Sequence, residues 1–248
     1  MTRLFMEDRE AGDGYLTLDK DNSHYISQVL RMKEGEELTV VLGGGVEALC
    51  EVHELSKSSV TLKIKDTHTS VSEPPFRITL YQSVSKGERM ELTIQKCVEL
   101  GVTKIVPVFS SRCVVRPDEP KKQKTKTERW QKIALEAARQ SGRGIIPEVV
   151  EPVNFTQAVK MADETAGIVL FPWEEEHGLT LKEALSQIDK DKISEIAVFI
   201  GPEGGFEDGE ADAARDNGAK PVTLGKRILR TETAGPAVLA MLLYQFEL

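Results

Sequence analysis

Two glycine-rich stretches near the end of the chain carry residue types that suit a ligand site. The first spans residues 201–205 and directly follows an apolar run, and the second surrounds Gly225. Glycine has no Cβ, so its backbone can approach a bound molecule closely and can adopt positive φ. Charged side chains stand among these glycines, chiefly Glu203, Arg230 and Glu232. Such groups can stabilise developing charge or accept a proton.

The elements around these stretches predict where they lie in a fold. The apolar run 196–200 is typical of a buried strand, and acidic residues after Phe206 suit a helix N-terminus. Asn217-Gly218 ends that helix, a strand follows over 221–224, and Thr231 or Thr233 caps a final helix with Pro236 in its first turn. Ligands of α/β sheets bind at the carboxyl ends of strands. The pattern therefore indicates a ligand site, with two plain tight turns as the alternative.

Neither glycine stretch has the sequence of a known phosphate-binding loop. No Gly-Lys-Ser/Thr follows, and the Gly-x-Gly-x-x-Gly fingerprint is absent. A phosphate cradle is therefore disfavoured at this site.

The charge of the chain is unevenly distributed. The formal net charge is −8 over 248 residues, but residues 1–73 carry −6, residues 74–146 carry +8 and residues 147–248 carry −10. A concentrated basic block lets an acidic protein meet phosphates. The alternative is a solvated helix face followed by a charged loop.

Cysteine, histidine and hydropathy patterns exclude several classes. The 3 cysteines are widely spaced and the 4 histidines are scattered, so we expect buried free thiols, a reducing cytoplasmic setting and no metal site. Neither an apolar run long enough to cross a bilayer nor a signal-peptide pattern is present, so we expect no membrane partner.

The pattern of elements changes near residues 72–75. Residues 1–72 alternate like a small β-barrel, with a hairpin around residues 43–45. Between the early strands, residues 24–31 place Tyr25, Val29 and Ile26 on one helical face. From Phe76 onward strands and helices alternate, which predicts a mainly parallel sheet in an α/β domain. Residues 110–126 are expected to form a long basic connection, and residues 173–176 a solvated loop.

Five separated motifs resemble one known family. Residues 201–206 (GPEGGF) and 224–234 (LGKRILRTETA) resemble the cofactor site of the SPOUT methyltransferases. Residues 24–31, 95–102 and 136–143 resemble further signatures of the ribosomal small subunit methyltransferase E family. The resemblance spans essentially the whole chain in the family's order.

The resemblance implies a fold and an activity. It implies a PUA-like, RNA-binding β-barrel over 1–72 and a SPOUT domain over 73–248 whose C-terminal segment forms a trefoil knot. The activity implied is S-adenosylmethionine-dependent methylation of N3 of a uridine in small-subunit ribosomal RNA. The implied partners are that RNA, free or in the assembled 30S subunit, and a second copy of the chain in a homodimer.

The resemblance also implies roles for individual residues. Arg230 is expected to stabilise the uracil anion, and Glu203 or Glu232 to orient that arginine or take the proton, although Glu232 also suits a capping role. The residues expected to bind the cofactor are Leu170, Phe171, Ile200, Gly201, Pro202, Glu203, Gly204, Gly205, Leu224, Gly225, Arg227, Ile228, Leu229, Thr233 and Ala234. The residues expected to bind RNA are His24, Arg31, Arg112, Arg116, Lys121, Lys122, Arg139 and Arg143.

Two other functions remain open from the sequence. One is a SPOUT methyltransferase acting on ribose 2′-hydroxyls of ribosomal or transfer RNA, which the order of the motifs disfavours. The other is a non-catalytic RNA-binding assembly factor that keeps the fold, and cofactor binding would separate it from both enzymes.

Overall fold

The computed structural model describes residues 2–6, 14–56, 59–115 and 119–248. The chain divides into two compact units. The first combines Met1–Glu73 with Ala138–Ile146, and the second combines Pro74–Ala137 with Pro147–Leu248.

The first unit contains a five-stranded sheet with a small apolar core. Its strands are β1 (Arg3–Met6), β2 (Tyr15–Thr17), β3 (Glu37–Leu42), β4 (Val46–Leu55) and β5 (Val60–Thr69), in the spatial order β1-β3-β4-β5-β2. The β3–β4 hairpin predicted at the three glycines is confirmed, with Leu42 opposite Val46. Positive φ at Gly44 and Gly45 explains why glycine stands in this turn.

The helix predicted over residues 24–31 has a different geometry. Helix α1 (Lys20–His24) continues as a π-helical turn over Tyr25–Val29, closed by the Leu30 N–H donating to the Tyr25 carbonyl. Ile26 is buried but Val29 is 58% exposed, so these two residues do not share one buried face. The wider π turn rotates the later residues away from an ideal helical face.

An ion pair with a buried arginine joins the two chain segments of the first unit. Arg143 is 2% exposed, and its Nε donates to both carboxylate oxygens of Glu73 at 2.9 and 3.0 Å. The Arg143 carbonyl accepts a hydrogen bond from Arg3, and the Gly144 N–H donates to Glu73. A buried charge is retained only where it is paired in this way.

The second unit is built on a parallel sheet. Its strands are β6 (Arg77–Ser83), β7 (Lys104–Phe109), β8 (Glu148–Val149), β9 (Val153–Asn154), β10 (Ile168–Pro172), β11 (Glu195–Ile200) and β12 (Lys220–Val222). Their order is β12-β10-β11-β6-β7-β8, with β9 also pairing with β7, and the registers of these described strands are parallel. The predicted α/β class is confirmed.

Helices connect these strands, as the alternating pattern predicts. They are α2 (Glu88–Glu99), α3 (Pro120–Ser141), α4 (Phe155–Thr165), α5 (Leu181–Ser186), α6 (Asp208–Asp216) and α7 (Thr231–Phe246). Helix α2 buries Met90, Ile94, Cys97 and Val98, the four residues predicted to face inward. Helix α6 begins with a capping box between Glu207 and Glu210, and Gly218 follows its end at positive φ.

The long connection predicted over residues 110–126 is wrong from Pro120 onward. Helix α3 begins at Pro120, and the N–H groups of Lys122 and Gln123 donate to the Glu119 carbonyl. Proline is tolerated at a first helical position because its missing N–H would have no partner there. The lysines that follow are good helix formers, so they extend the helix.

Aromatic stacking holds the second unit together below its ligand-facing loops. The rings of Phe171 and Phe206 stack at 4.4 Å between centroids, and those of Tyr81 and Phe199 at 4.5 Å. Burial raises the pKa of Tyr81 to about 12. Because Phe171 lies one residue before the end of β10 and Phe206 follows β11, this packing positions the two strand ends from which the loops depart.

Candidate functional site

A cavity lies where β10, β11 and β12 end. Its volume is about 620 Å³, within the usual range for small-molecule sites. Three chain segments line it, after β10, after β11 and after β12, together with the first turn of α7 and Arg89 from α2. The two glycine-rich stretches thus lie on one cavity, as the sequence predicts.

The lining contains most of the predicted cofactor-binding residues. Ile200, Gly201, Pro202, Glu203, Gly205, Leu224, Gly225, Arg227, Ile228, Leu229 and Ala234 line the cavity. Leu170 and Phe171 are fully buried below it, and neither they nor Gly204 and Thr233 belong to its lining. Leu170 and Phe171 therefore support the site through the core, while Pro172, Trp173 and Glu174 of the same segment face the cavity.

The first glycine stretch forms a turn held by several hydrogen bonds. The Thr231 hydroxyl donates to the Gly201 carbonyl at 2.7 Å, and the Gly205 N–H donates to the Pro202 carbonyl at 3.0 Å. Positive φ occurs at Gly205, at 67°, whereas Gly201 and Gly204 do not adopt it. The left-handed conformation that favours glycine therefore applies at Gly205 and not at Gly204.

The second glycine stretch leads directly into α7. Gly225 has a φ of 108°, and its N–H donates to the Thr223 hydroxyl at 3.2 Å. The N-cap of α7 is Arg230, which makes no side-chain capping bond, so the cap predicted at Thr231 or Thr233 is wrong. The reason is that the Thr231 hydroxyl donates to the Gly201 carbonyl and accepts from Gln82 Nε2 at 2.9 Å, so it serves the neighbouring loop.

Four charged side chains form a chain of ionic contacts along the cavity. Arg89 Nη1 donates to the Glu203 carboxylate at 2.7 Å, and Arg89 Nε lies 3.9 Å from Glu232. Glu232 in turn lies 3.9 Å from Arg230, whose side chain is 81% exposed. Arg89 was not predicted from the sequence, since it belongs to α2 and is separated from Glu203 by 114 residues.

The environment of Glu203 favours its ionised form. Burial would raise the pKa of Glu203, but hydrogen bonds from its own backbone N–H, from Arg89 and from the Lys86 N–H outweigh burial and lower that pKa. A carboxylate with a lowered pKa holds a proton weakly. Of the two roles expected for Glu203, orienting a cation fits this environment better than accepting a proton.

The segment after β10 contributes an aromatic wall. Trp173 packs against the core cluster and lines the cavity, so the prediction of a solvated loop is wrong for this residue. Its Nε1 is buried and has no acceptor among the described residues.

The predicted RNA-binding residues occupy different settings. His24 and Arg31 are exposed in the first unit, and Lys121 and Lys122 are exposed on the first turn of α3. The Arg139 guanidinium lies 4.3 Å from the Tyr25 ring centroid. Arg143 is buried against Glu73 and therefore has no surface for an RNA contact, and Arg116 lies outside the described residues.

Arg112 was expected to bind RNA, but its side chain contacts the first glycine stretch. Its Nη1 donates to the Gly204 carbonyl at 3.1 Å and to the Phe206 carbonyl at 3.4 Å.

Across the described ranges, no group of three metal-ligating side chains occurs, and no helix is long and apolar enough to cross a membrane.

Comparison with known proteins identifies the class. Residues 72–243 match the family model of an RNA methyltransferase domain, and residues 18–65 match that of an RNA methyltransferase PUA domain. Ribosomal RNA small subunit methyltransferase E of Bacillus subtilis is 34% identical over 226 residues, covering 91% of this chain and 88% of the relative. Ribosomal RNA small subunit methyltransferase E of Aquifex aeolicus is 30% identical over 241 residues, covering 97% of this chain and 98% of the relative.

Solved structures agree with the family models. Ribosomal RNA small subunit methyltransferase E of Neisseria gonorrhoeae, bound to S-adenosylmethionine, has a TM-score of 0.85 at 32% identity and covers 99% of this chain and 98% of its own. A Legionella pneumophila structure in complex with the same cofactor has a TM-score of 0.84 at 34% identity, covering 98% and 97%.

The parallel sheet, the cavity at its carboxyl edge and the PUA match are together those of an RNA methyltransferase. The chain belongs to the ribosomal RNA small subunit methyltransferase E family. The predicted family and the α/β fold with a PUA-like unit are therefore confirmed.

Proposed function

We propose that this protein uses S-adenosylmethionine to methylate N3 of a uridine in small-subunit ribosomal RNA. The observation that carries the proposal is the cavity at the ends of β10, β11 and β12, with Arg230 at its rim. Family relatives are named for methylation of this RNA, and the Neisseria gonorrhoeae relative is bound to this cofactor.

The residues of the cavity fit the proposed cofactor. Apolar side chains of Ile200, Leu224 and Leu229 provide walls for an adenine ring, and the two glycine-rich turns bring backbone groups to the same space. S-adenosylmethionine supplies an activated methyl group on a sulfonium, so this chain must mainly bind and align it.

The acceptor nitrogen sets the main chemical demand on the protein. N3 of a neutral uracil carries a proton, so methylation there requires that proton to leave and the remaining anion to be stabilised. The Arg230 guanidinium is highly exposed at the cavity rim, where an RNA base can reach it. It would hold negative charge on the uracil oxygens.

Glu232 and Glu203 would position the cations of this site. Glu232 lies 3.9 Å from both Arg230 and Arg89, and its side chain is only 14% exposed. Glu203 holds Arg89 from the other side at 2.7 Å. Glu203 and Glu232 thereby hold Arg89 between them, and Glu232, the carboxylate nearer Arg230, is the better placed of the two to accept the uracil proton.

The candidates for RNA contact form one set on α3 and another in the first unit. Lys121, Lys122, Lys124 and Lys126 follow one another on the first turns of α3. In the first unit, the exposed residues His24 and Arg31 and the partly buried Arg139 are candidates for contact with the RNA. Residues 1–72 would thus act as an RNA-binding domain and residues 73–248 as the methyltransferase, in the cytoplasm where ribosomes assemble.

A trefoil knot and a homodimer belong to the same proposal. The segment 223–230 would thread through an earlier loop to form the trefoil knot, consistent with its place on the same cavity as residues 172–177 and 200–206. The chain would act as a homodimer on the free RNA or on the assembled 30S subunit. Sedimentation that gives a monomeric mass with full activity at nanomolar concentration would contradict the dimer.

The decisive experiment identifies the methylated nucleoside. The purified protein is incubated with unmodified small-subunit RNA, or with 30S subunits, and S-adenosylmethionine labelled in the methyl group. The product is digested to nucleosides, and we expect 3-methyluridine by mass spectrometry. A methyl group on a ribose oxygen would contradict methylation of the base and would show that the protein methylates ribose 2′-hydroxyls. Cofactor binding without transfer to either substrate would instead support an assembly factor.

A further inference from the structure

Arg112 is mounted on a rigid turn after β7. The Ser111 N–H donates to Glu210 Oε1 at 2.8 Å, which ties the turn to the first turn of α6. The Cys113 N–H donates to the Ser110 carbonyl at 3.1 Å, and Cys113 is buried. Both neighbours of Arg112 are therefore anchored, and the direction of its side chain is restricted.

The Arg112 side chain spans the outside of the first glycine stretch. Its Nη1 donates to the carbonyls of Gly204 and Phe206, and its Nε lies 3.8 Å from the Glu207 carboxylate. A guanidinium has no acceptor capacity and presents its donors in a fixed plane. One cation thus bonds the two backbone carbonyls on either side of Gly205.

The peptide units that contain these two carbonyls are also hydrogen-bonded through their N–H groups. The Gly205 N–H donates to the Pro202 carbonyl at 3.0 Å, and the Glu207 N–H donates to Glu210 Oε2 at 3.0 Å. Because a peptide unit is planar, bonding its carbonyl and its N–H fixes its orientation. Gly205, which lines the cavity at positive φ, is held between two such units.

We propose that Arg112 is a positioning residue for the cofactor loop and not a contact for RNA phosphate. The inference rests on the proposed use of S-adenosylmethionine. Residues 201–205 contain three glycines, which lose more conformational freedom on ordering than other residues. A loop that is ordered before binding avoids that cost when the cofactor arrives, so Arg112 strengthens binding without touching the ligand.

The test compares Arg112→Ala and Arg112→Lys with Arg215→Ala as a matched control. Arg215 has a side chain exposed to a similar degree, 48% against 46%, and pairs with Asp212 on the surface of α6. For Arg112→Ala we expect cofactor affinity in calorimetry to fall about tenfold, the scale of a hydrogen bond to a charged group. The KM for the cofactor should rise by a similar factor, with kcat and the KM for RNA unchanged.

Two readouts do not depend on activity. In the cofactor-free protein, hydrogen exchange in a peptide covering residues 201–207 should be faster in Arg112→Ala than in the wild type or Arg215→Ala. Arg112→Lys keeps a donor that can reach one carbonyl, so it should recover part of the affinity and of the exchange protection. The salt dependence of RNA binding should match that of the wild type.

The result that would overturn the inference about Arg112 differs from the result that would overturn the proposed function. A single lost contact to single-stranded RNA would lower the slope of log K against log salt by about 0.7. That change, with wild-type cofactor affinity and exchange, would assign Arg112 to RNA and overturn the inference. A wild-type protein that binds no S-adenosylmethionine would overturn the proposed function as well, whereas equal affinities in the wild type and Arg112→Ala would overturn this inference alone.

Discussion

The Arg89 guanidinium and the Glu203 carboxylate form a hydrogen-bonded ion pair, with 2.7 Å between Nη1 and Oε1. Arg89 lies in the first turn of α2, and Glu203 lies in the turn after β11, so the pair joins two elements distant in sequence. Because the pKa of Glu203 is lowered in the folded protein, this ion pair makes the free energy of unfolding depend on pH.

Arg89→Ala should reduce the free energy of unfolding at neutral pH by about 0.5–1 kcal/mol, the range for a partly exposed ion pair. The folded-state pKa of Glu203 is lowered, so its stabilisation is fully present above the unfolded pKa and is lost as pH falls through the folded value. Urea denaturation at neutral and acidic pH checks this. A difference between the two proteins that persists undiminished in acid would contradict it, and Arg89→Lys serves as the charge-retaining control.

Gly205→Val should abolish tight cofactor binding in a folded protein. A β-branched residue at this positive φ costs about 1–3 kcal/mol in strain. Its Cβ would also lie 2.7 Å from Glu174 Oε1, so the neighbouring side chain would have to move. Calorimetry with S-adenosylmethionine measures the loss. Gly209→Ala is the control, since its φ is not positive and no atom lies within 4 Å of the added Cβ; an equal loss there would remove the strain argument.

Replacing Lys121, Lys122 and Lys124 by alanine should weaken RNA binding and flatten its salt dependence. All three side chains are exposed on the first turns of α3. Loss of three phosphate contacts to single-stranded RNA should lower the slope of log K against log salt by about 2. Titrations at several salt concentrations give that slope. Replacing the exposed Lys190 and Lys192 is the control, and the same slope in all three proteins would move the RNA path to another surface.

Arg230→Ala should slow methyl transfer by about 10²–10³ while cofactor affinity is retained. The guanidinium would no longer stabilise the uracil anion, so the variant should need a more alkaline pH than the wild type to reach its own maximum. Single-turnover rates over a pH series, with calorimetry of the cofactor, separate chemistry from binding. Full activity in the variant would leave the family assignment intact and exclude this role for Arg230.

Local patterns in the sequence predict the elements that position the site. The apolar run in β11, the inward face of α2 and the Asn217-Gly218 stop of α6 lie within one or two residues of their predicted positions. Each depends on neighbours along the chain, so periodicity and turn chemistry are sufficient. The same patterns bring both glycine-rich stretches to the carboxyl ends of strands.

The ionic partners could not be predicted in this way. Arg112 reaches Gly204 across 92 residues, and Arg143 reaches Glu73 across 70. Both arginines belong to a basic block, and composition alone suggests phosphate contacts for every member of such a block. Tertiary packing decides which of these arginines bonds backbone carbonyls or a carboxylate instead. Such packing leaves no periodic signal in the sequence.

The Glu73–Arg143 pair has a consequence for synthesis. A ribosome releases the chain in order, so Glu73 emerges 70 residues before the side chain that neutralises it. At translation rates of about 5–20 residues per second, the delay is roughly 4–14 seconds. During that interval the first unit lacks its last segment, Ala138–Ile146, while part of the second unit has already been made. The first unit therefore cannot be completed until Ala138–Ile146 has been synthesised.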